Sequence, residues 1–294
     1  MVIGSSVLVF VIMYVMPGDP VLQMLSGNST TPEAIAGLRR ELGLDKPFYH
    51  QFLDYFYQLL QGNFGQSRVN KDLVLPKILE HTPATLMLTL VSALFSIVIG
   101  IVLGVLSAIH RNGIIDYVAR FVGLFGISMP AFWTGILLLL VFSIQLGWFP
   151  TMGSEGWTTL VLPGLALGLV GAGFIVRLVR NTMLEVLGEP FILTLRAKGL
   201  SERSVMYGHA LRNSLIPALT MAGVMVGELL SGTVVIETVF ARQGIGRILA
   251  DAIMAKDMPV VQGVVFFTAM VYVGVNLLVD VSYTFVDPRI RRLQ

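Results

Sequence analysis

The sequence contains no cysteine and little charge: of 294 residues, only 13% are Asp, Glu, Lys or Arg, about half of the roughly 25% usual in a soluble domain. Without thiols there are no disulfides, thiolate metal sites or cysteine nucleophiles. The four histidines, His50, His81, His110 and His209, are too scattered for a metal cluster, so no metal or cofactor site is expected in this chain. Charge is missing in blocks. The stretches 1–18, 81–110, 121–154, 156–176 and 258–279 hold no Asp, Glu, Lys or Arg, and a bilayer crossing takes about 20 mostly apolar residues. These blocks exclude an ordinary cytosolic fold and indicate a multi-span membrane protein.

The apolar runs are solid and do not alternate as β-barrel strands do, so they read as helices. The fold expected is an all-α polytopic membrane protein with six spans. The first, 1–16, stops at Met16-Pro-Gly-Asp-Pro20. It lacks the charged start and small-residue cleavage site of a signal peptide, and its shortness predicts that a few residues of a longer span are missing. The second covers about 84–109, the third lies within 120–147 with Pro130 able to kink it, and the fourth covers about 158–176. The fifth, about 214–236, is interrupted by Glu228, and the sixth covers about 260–284. The pairs Gly100/Gly104, Gly164/Gly168 and Gly223/Gly227 predict close helix packing and nothing more.

The connections after spans two and four and the tail together hold eleven basic residues against five acidic ones, whereas the opposite side holds nine against eleven. The positive-inside rule then puts the 177–213 connection and both termini in the cytoplasm.

Four regions follow: the first span 1–16, an external helical insertion 17–83, a five-helix core 84–286 containing a cytoplasmic loop 178–213, and a basic tail 287–294. In the insertion, Thr31-Pro32-Glu33 predicts a helix start with Ile35, Leu38 and Leu42 on one face and Gly43 as the stop. A second helix from Pro47 to Gly62 places Phe48, Phe52, Tyr55, Phe56 and Leu59 on one face. That aromatic face fits packing on the protein or the outer lipid interface, or else reception of a partner bringing substrate. In the loop, a short helix from Pro190 to Lys198 is expected to stop at Gly199, with Ser201 capping the next helix. A connector, a docking element for a soluble partner and a DNA-binding helix-turn-helix are the possible uses, the last disfavoured because no large basic face exists.

Glu228 and Asp280 are acids at membrane depth, accompanied by Ser231, Thr233, Gln262 and Asn276, while Glu237 and Arg242 lie near the outer end of the fifth span. Carboxylates are costly there and suggest a translocation path or proton relay. For Glu228 a bond to a neighbouring helix is the alternative; for Asp280, a place near the inner interface; for Glu237 and Arg242, a gate or ordinary loop charges.

The loop segments Arg196-Ala-Lys-Gly-Leu-Ser-Glu202 and His209-Ala-Leu-Arg-Asn-Ser-Leu-Ile-Pro217 resemble the EAA loop of inner-membrane permeases of binding-protein-dependent ABC importers, in the dipeptide, oligopeptide and nickel branch. Met16–Pro20, Glu41–Pro47, Gly232–Phe240 with Gly244-Ile-Gly246, and Asp287–Arg291 agree in order. Two departures stand out: Leu193-Thr194-Leu195 replaces the family's Glu-Ala-Ala, and Arg242-Gln243 replaces a common Trp-Pro. The resemblance implies the type I ABC importer permease fold and a non-enzymatic pore subunit in a bacterial inner membrane. Implied partners are a related sister permease as heterodimer, two ABC ATPases, an external substrate-binding protein and membrane lipid, without nucleic acid. ATP and Mg would sit on the ATPases, because no Gly-x-x-x-x-Gly-Lys-Ser/Thr loop occurs here. The implied coupling residues are Glu189, Arg196, Ala197, Lys198, Gly199, Leu200, Glu202, Arg203, His209, Asn213 and Pro217. Peptides, glutathione-like compounds and nickel complexes are the cargo classes. The rival readings are an ion-driven secondary transporter using Glu228, disfavoured by the lack of an inverted repeat, and, more remotely, a membrane enzyme.

Overall fold

The computed structural model describes residues 2–15, 21, 32–41, 43 and 45–286. The Met16–Pro20 motif, Thr31, Leu42 and the 287–294 tail, with its Asp287–Arg291 segment, lie outside the described residues. Among those described, every regular element is a helix, and the one β-type contact is an isolated Gln66–Leu73 bridge.

In chain order the helices are α1 (Val2–Val15), α2 (Pro32–Glu41), α3 (Phe48–Leu60), α4 (Val74–Ile109), α5 (Ile114–Ser128) and α6 (Ala131–Leu138), the last continued by a π-helical stretch, Leu139–Gln145. Then come α7 (Thr158–Leu187), α8 (Pro190–Ala197), a π-helical stretch Ser204–Ala210 running into α9 (Leu211–Val239), α10 (Ile245–Met254) and α11 (Met258–Val286). Four of these are long and apolar enough to cross a membrane: α4, α7, the continuous helix Ser204–Val239 and the apolar part of α11. A fifth crossing arises if α5 and the helix after it count as one bent span. The first apolar helix is shorter than a crossing needs. Among the described residues, four to five crossings are therefore identified by length and composition, against the six expected.

The third expected span differs most. It is a pair of helices bent by 115° at Met129–Pro130, not a kinked rod. Proline disfavours the helical region for the residue before it, and Met129 is extended at φ −93°, ψ 134°, whereas Pro83, Pro163 and Pro217 are accommodated inside α4, α7 and α9. The second and fifth spans extend beyond the expected ends, to Val74 and Ser204 respectively, because the helix continues through polar residues where hydropathy falls.

The chain divides into two compact units, residues 1–81 with 248–273 and residues 82–247 with 274–294. In the first, Phe10 and Tyr14 of α1 meet α3 through Phe48, Phe52 and Tyr55, with ring centroids 4.9–5.6 Å apart. On α11, Phe266 is buried against Phe56 and Phe64. Asp257 is buried and accepts the Ser67 hydroxyl and the Arg68 amide, fastening the 63–73 turn. The aromatic face read from the sequence is thus packed on protein, while Tyr49, Leu53, Tyr57 and Leu60 occupy the exposed side of α3.

In the second unit α7 is the most enclosed helix. It meets α4 through two interlocking glycine pairs. A Cβ on Gly100 would lie 2.5 Å from the Ile175 Cβ, and one on Gly104 2.8 Å from that of Val179; conversely, Gly164 and Gly168 of α7 leave room for Val91 and Phe95 of α4. Small residues let the backbones approach, and Ser96 uses the proximity to donate across to the Gly168 carbonyl at 2.8 Å.

Candidate functional site

The loop between α7 and α9 is built as the sequence suggests, with a hydrogen-bonded corner at its centre. Pro190 opens α8 with a ring that needs no amide donor. At its end Gly199 adopts φ +83°, the Gly199 amide donates to the Arg196 carbonyl at 2.9 Å, and the Leu200 amide donates to the Leu195 carbonyl at 3.3 Å. This is a Schellman ending, in which a left-handed glycine lets two late carbonyls be satisfied. Beyond it, the Ser201 hydroxyl accepts the Ser204 amide at 3.4 Å and the Ser201 carbonyl accepts the Val205 amide at 3.0 Å. Asn213 donates to the His209 carbonyl at 2.9 Å. Glu189 is exposed and stands just before α8 without a side-chain cap bond.

The corner is braced on both sides. Inward, Ile192 and Val205 are fully buried in one cluster with Val105 and Ala108 of α4 and Val179 and Met183 of α7, and Leu195 and Leu200 pack against it. Outward, Arg196 donates to Glu202 through two bonds of 2.7 and 3.1 Å, and the hydrogen bond to the Glu202 carboxylate raises the Arg196 guanidinium above its ordinary pKa. Ala197, Lys198, Arg203 and Pro217 are exposed, His209 half-buried. The coupling set read from the sequence omits Phe191 and Leu193, which are 41% and 70% exposed at the tip. Their helical spacing to the buried Ile192 carried that signal, because residues flanking an inward position on so short a helix must face out.

The intramembrane residues do not form one group. On α9, Glu228 and Ser231 share an exposed face with Thr220, Val224 and Val235, and no hydrogen bond or ion pair is seen for Glu228 among the described residues. Thr233 is buried and donates to the Leu230 carbonyl. Asn276 is half-buried on α11; Asp280 lies on the same helix, its side chain outside the described residues.

Glu237 is fully buried at the far end of α9 and is no ordinary loop charge. Thr85 donates to Oε1 at 2.6 Å, while the Gly246 and Arg247 amides donate to Oε2 at 2.8 and 3.2 Å. The Thr85 hydroxyl in turn accepts the Ile245 amide at 2.8 Å. One carboxylate therefore caps the first turn of α10, satisfying amides that a helix start leaves open. The Gly244-Ile-Gly246 motif follows from this: a Cβ on Gly244 would overlap the carboxylate, and one on Gly246 would overlap the Val234 backbone. Nearby, Arg242 is buried and donates to the Thr159 carbonyl and hydroxyl at 3.1 and 3.0 Å. Burial lowers its pKa, and the negative charge of Glu237 acts in the opposite sense.

A bipartite match accompanies this geometry. Residues 100–292 match the family described as binding-protein-dependent transport system inner membrane component, and residues 1–89 match the corresponding N-terminal component. The chain belongs to that family. It is 40% identical over 286 residues to the glutathione transport system permease protein GsiC of Escherichia coli strain K12 and of Shigella flexneri serotype 5b, covering 97% of this chain and 93% of theirs. Among solved structures, a chain of the inward-facing MetNI methionine ABC transporter shares the fold, with TM-score 0.59 and 21% identity over 71% of this chain and 96% of that one. An amino acid ABC transporter crystallised with histidines gives TM-score 0.55 at 16% identity, over 73% of this chain and 94% of that one. The permease is thus a multi-pass membrane component of an ABC importer of the dipeptide and oligopeptide type. Its relatives are transport subunits and not enzymes.

Proposed function

We propose that this permease forms one half of an ATP-driven import pore for short peptides of the glutathione class, with a related sister permease as the other half. Two ATPases bearing ATP and Mg dock on the loop from Glu189 to Pro217, and an external binding protein delivers cargo to the opposite face. The loop and both termini are cytoplasmic in this arrangement. The observation that carries the proposal is the Gly199 corner, apolar inside and presenting Phe191, Leu193 and the Arg196–Glu202 pair outside, in a sequence with no phosphate-binding loop. An apolar tip ringed by charge suits a groove on a partner, and a small helix rigidly joined to the bundle can pass on the partner's movement. ATP binding closes the ATPases, moves α8, and turns the pore from inward to outward opening.

Glu228 and Ser231 line the path or its seam with the sister chain, because a carboxylate facing hydrocarbon is costly; the peptide amine is the cargo group a carboxylate there attracts. Asn276 and Asp280 contribute further polar positions along the path from α11. Glu237 and Thr233 hold the frame at the outer end.

The test is uptake of radiolabelled glutathione and dipeptides into liposomes carrying both permeases and both ATPases, with the binding protein outside. Uptake that needs internal ATP supports the proposal. Uptake by this chain alone, driven by an ion gradient, would contradict it.

A further inference from the structure

A single carboxylate gathers the helices next to the loop. Asp116 stands in the first turn of α5 and is completely buried. Arg180 of α7 donates to both of its oxygens, from Nε at 2.8 Å and from a terminal nitrogen at 2.9 Å. Ser107 of α4 donates to Oδ1 at 2.5 Å, and the Asn112 amide, from the turn between α4 and α5, donates to Oδ2 at 2.9 Å. Arg120, one turn along, lies 3.3 Å away. Three helices and a turn thus share one anion. Arg180 lies ten positions before Pro190, and only Gly188 and Glu189 separate α7 from α8.

This arrangement is an expensive way to hold helices together. Taking each ion from water costs several kcal/mol, and well-packed apolar residues often serve stability as well or better. What the fork adds is direction. Apolar ridges allow helices to slide and rotate over one another within a range of crossing angles, whereas a bidentate guanidinium–carboxylate pair fixes both separation and orientation. The neighbouring α4–α7 cluster is apolar, with Val105, Ala108, Val179 and Met183. The charged fork is what prevents slip.

We infer that the Asp116–Arg180 pair is a positioning element that makes α4, α5 and α7 turn as one body when the α8 loop is displaced, so that movement at the loop reaches the far end of the bundle. This rests on the reading of the loop as the point where the ATPases act.

The test uses the full complex of both permeases, both ATPases and the binding protein in nanodiscs. Thr238 of this cysteine-free chain, exposed at the far end of α9, is replaced by cysteine. Its maleimide labelling rate is compared with and without ATP and vanadate. The parent complex should show a nucleotide-dependent change. The double variant Asp116→Asn/Arg180→Met removes both charges together and leaves no unpaired ion in the interior, so folding and assembly should survive. It should hydrolyse ATP at the parent rate yet lose the change at position 238. Ser107→Ala, which removes one donor and leaves the fork, should keep it.

Retention of the full change in the double variant would overturn the inference. So would loss of the change in Asp116→Asn or Arg180→Met made singly but not in the double variant, since that pattern reports an unpaired buried charge and no transmission. Absence of any change in the parent complex would overturn the loop reading itself and the inference with it.

Discussion

The Gly246 amide donates to the Glu237 carboxylate at 2.8 Å, and a Cβ at position 246 would strike the Val234 backbone. Two demands meet at one residue: the amide must reach the carboxylate, and nothing larger than hydrogen fits behind it. Gly246→Ala should therefore cost about 1–3 kcal/mol by overpacking, more if the Glu237 bonds break. Thermal unfolding of the detergent-solubilised permease measures this. An unchanged midpoint would show that the loop relaxes freely.

Gly199 is the opposite case. Its φ is +83°, but no atom lies within 4 Å of the place a Cβ would take, so a side chain meets strain and no collision. Gly199→Ala should cost roughly 1–2 kcal/mol, the penalty for an L-residue in the left-handed region. Backbone strain, not bulk, should then govern coupling at this position: Ala and Leu there should impair ATP-driven uptake to a similar degree, and a large difference between them would point to steric contact with the ATPase.

Removing the Glu237 side chain leaves the Gly246 and Arg247 amides without their acceptor in a buried place. Each such group costs about 1–3 kcal/mol. Glu237→Gln keeps one acceptor but turns an NH₂ group toward a donor, so it should fall between the parent and Glu237→Ala. Hydrogen exchange across the first turn of α10 should quicken in the same order; equal protection in all three proteins would refute the capping role.

Glu228 is exposed on a spanning helix, and its replacement separates two environments. Facing a path or a sister chain, Glu228→Leu should leave this chain folded while lowering initial uptake or co-purification of the sister permease. Facing lipid, the same change should raise thermal stability and leave both unaltered, because an intramembrane carboxylate is costly.

The apolar helices and the α8 corner were legible because each is dictated by local signals: charge-free runs, Pro190 at a helix start, Gly199 at a stop. The glycine pairs at 100/104 and 164/168 announced close packing but not their shared α4–α7 interface, since a small-residue pattern names one partner only. The 115° bend at Met129–Pro130 exceeds the expected kink for a similar reason; proline only disfavours helix at the preceding residue, as the unbroken helices through Pro83, Pro163 and Pro217 show, and the angle depends on what the second arm packs against. Asp116 and Arg180 entered the sequence reading only as counted charges. They are 64 positions apart, and nothing local marks either as the other's partner. Glu237 was noticed, yet its bond to Gly246 became visible only when the chain between them was folded back.

The claim that energy enters at the α8 corner is tested most directly by a cysteine at Leu193, a residue 70% exposed in a chain with no other cysteine. In spheroplasts expressing the whole transporter, this position should resist a membrane-impermeant maleimide added outside and should cross-link to an ATPase subunit after permeabilisation. Full labelling from outside, with no ATPase adduct, would contradict it.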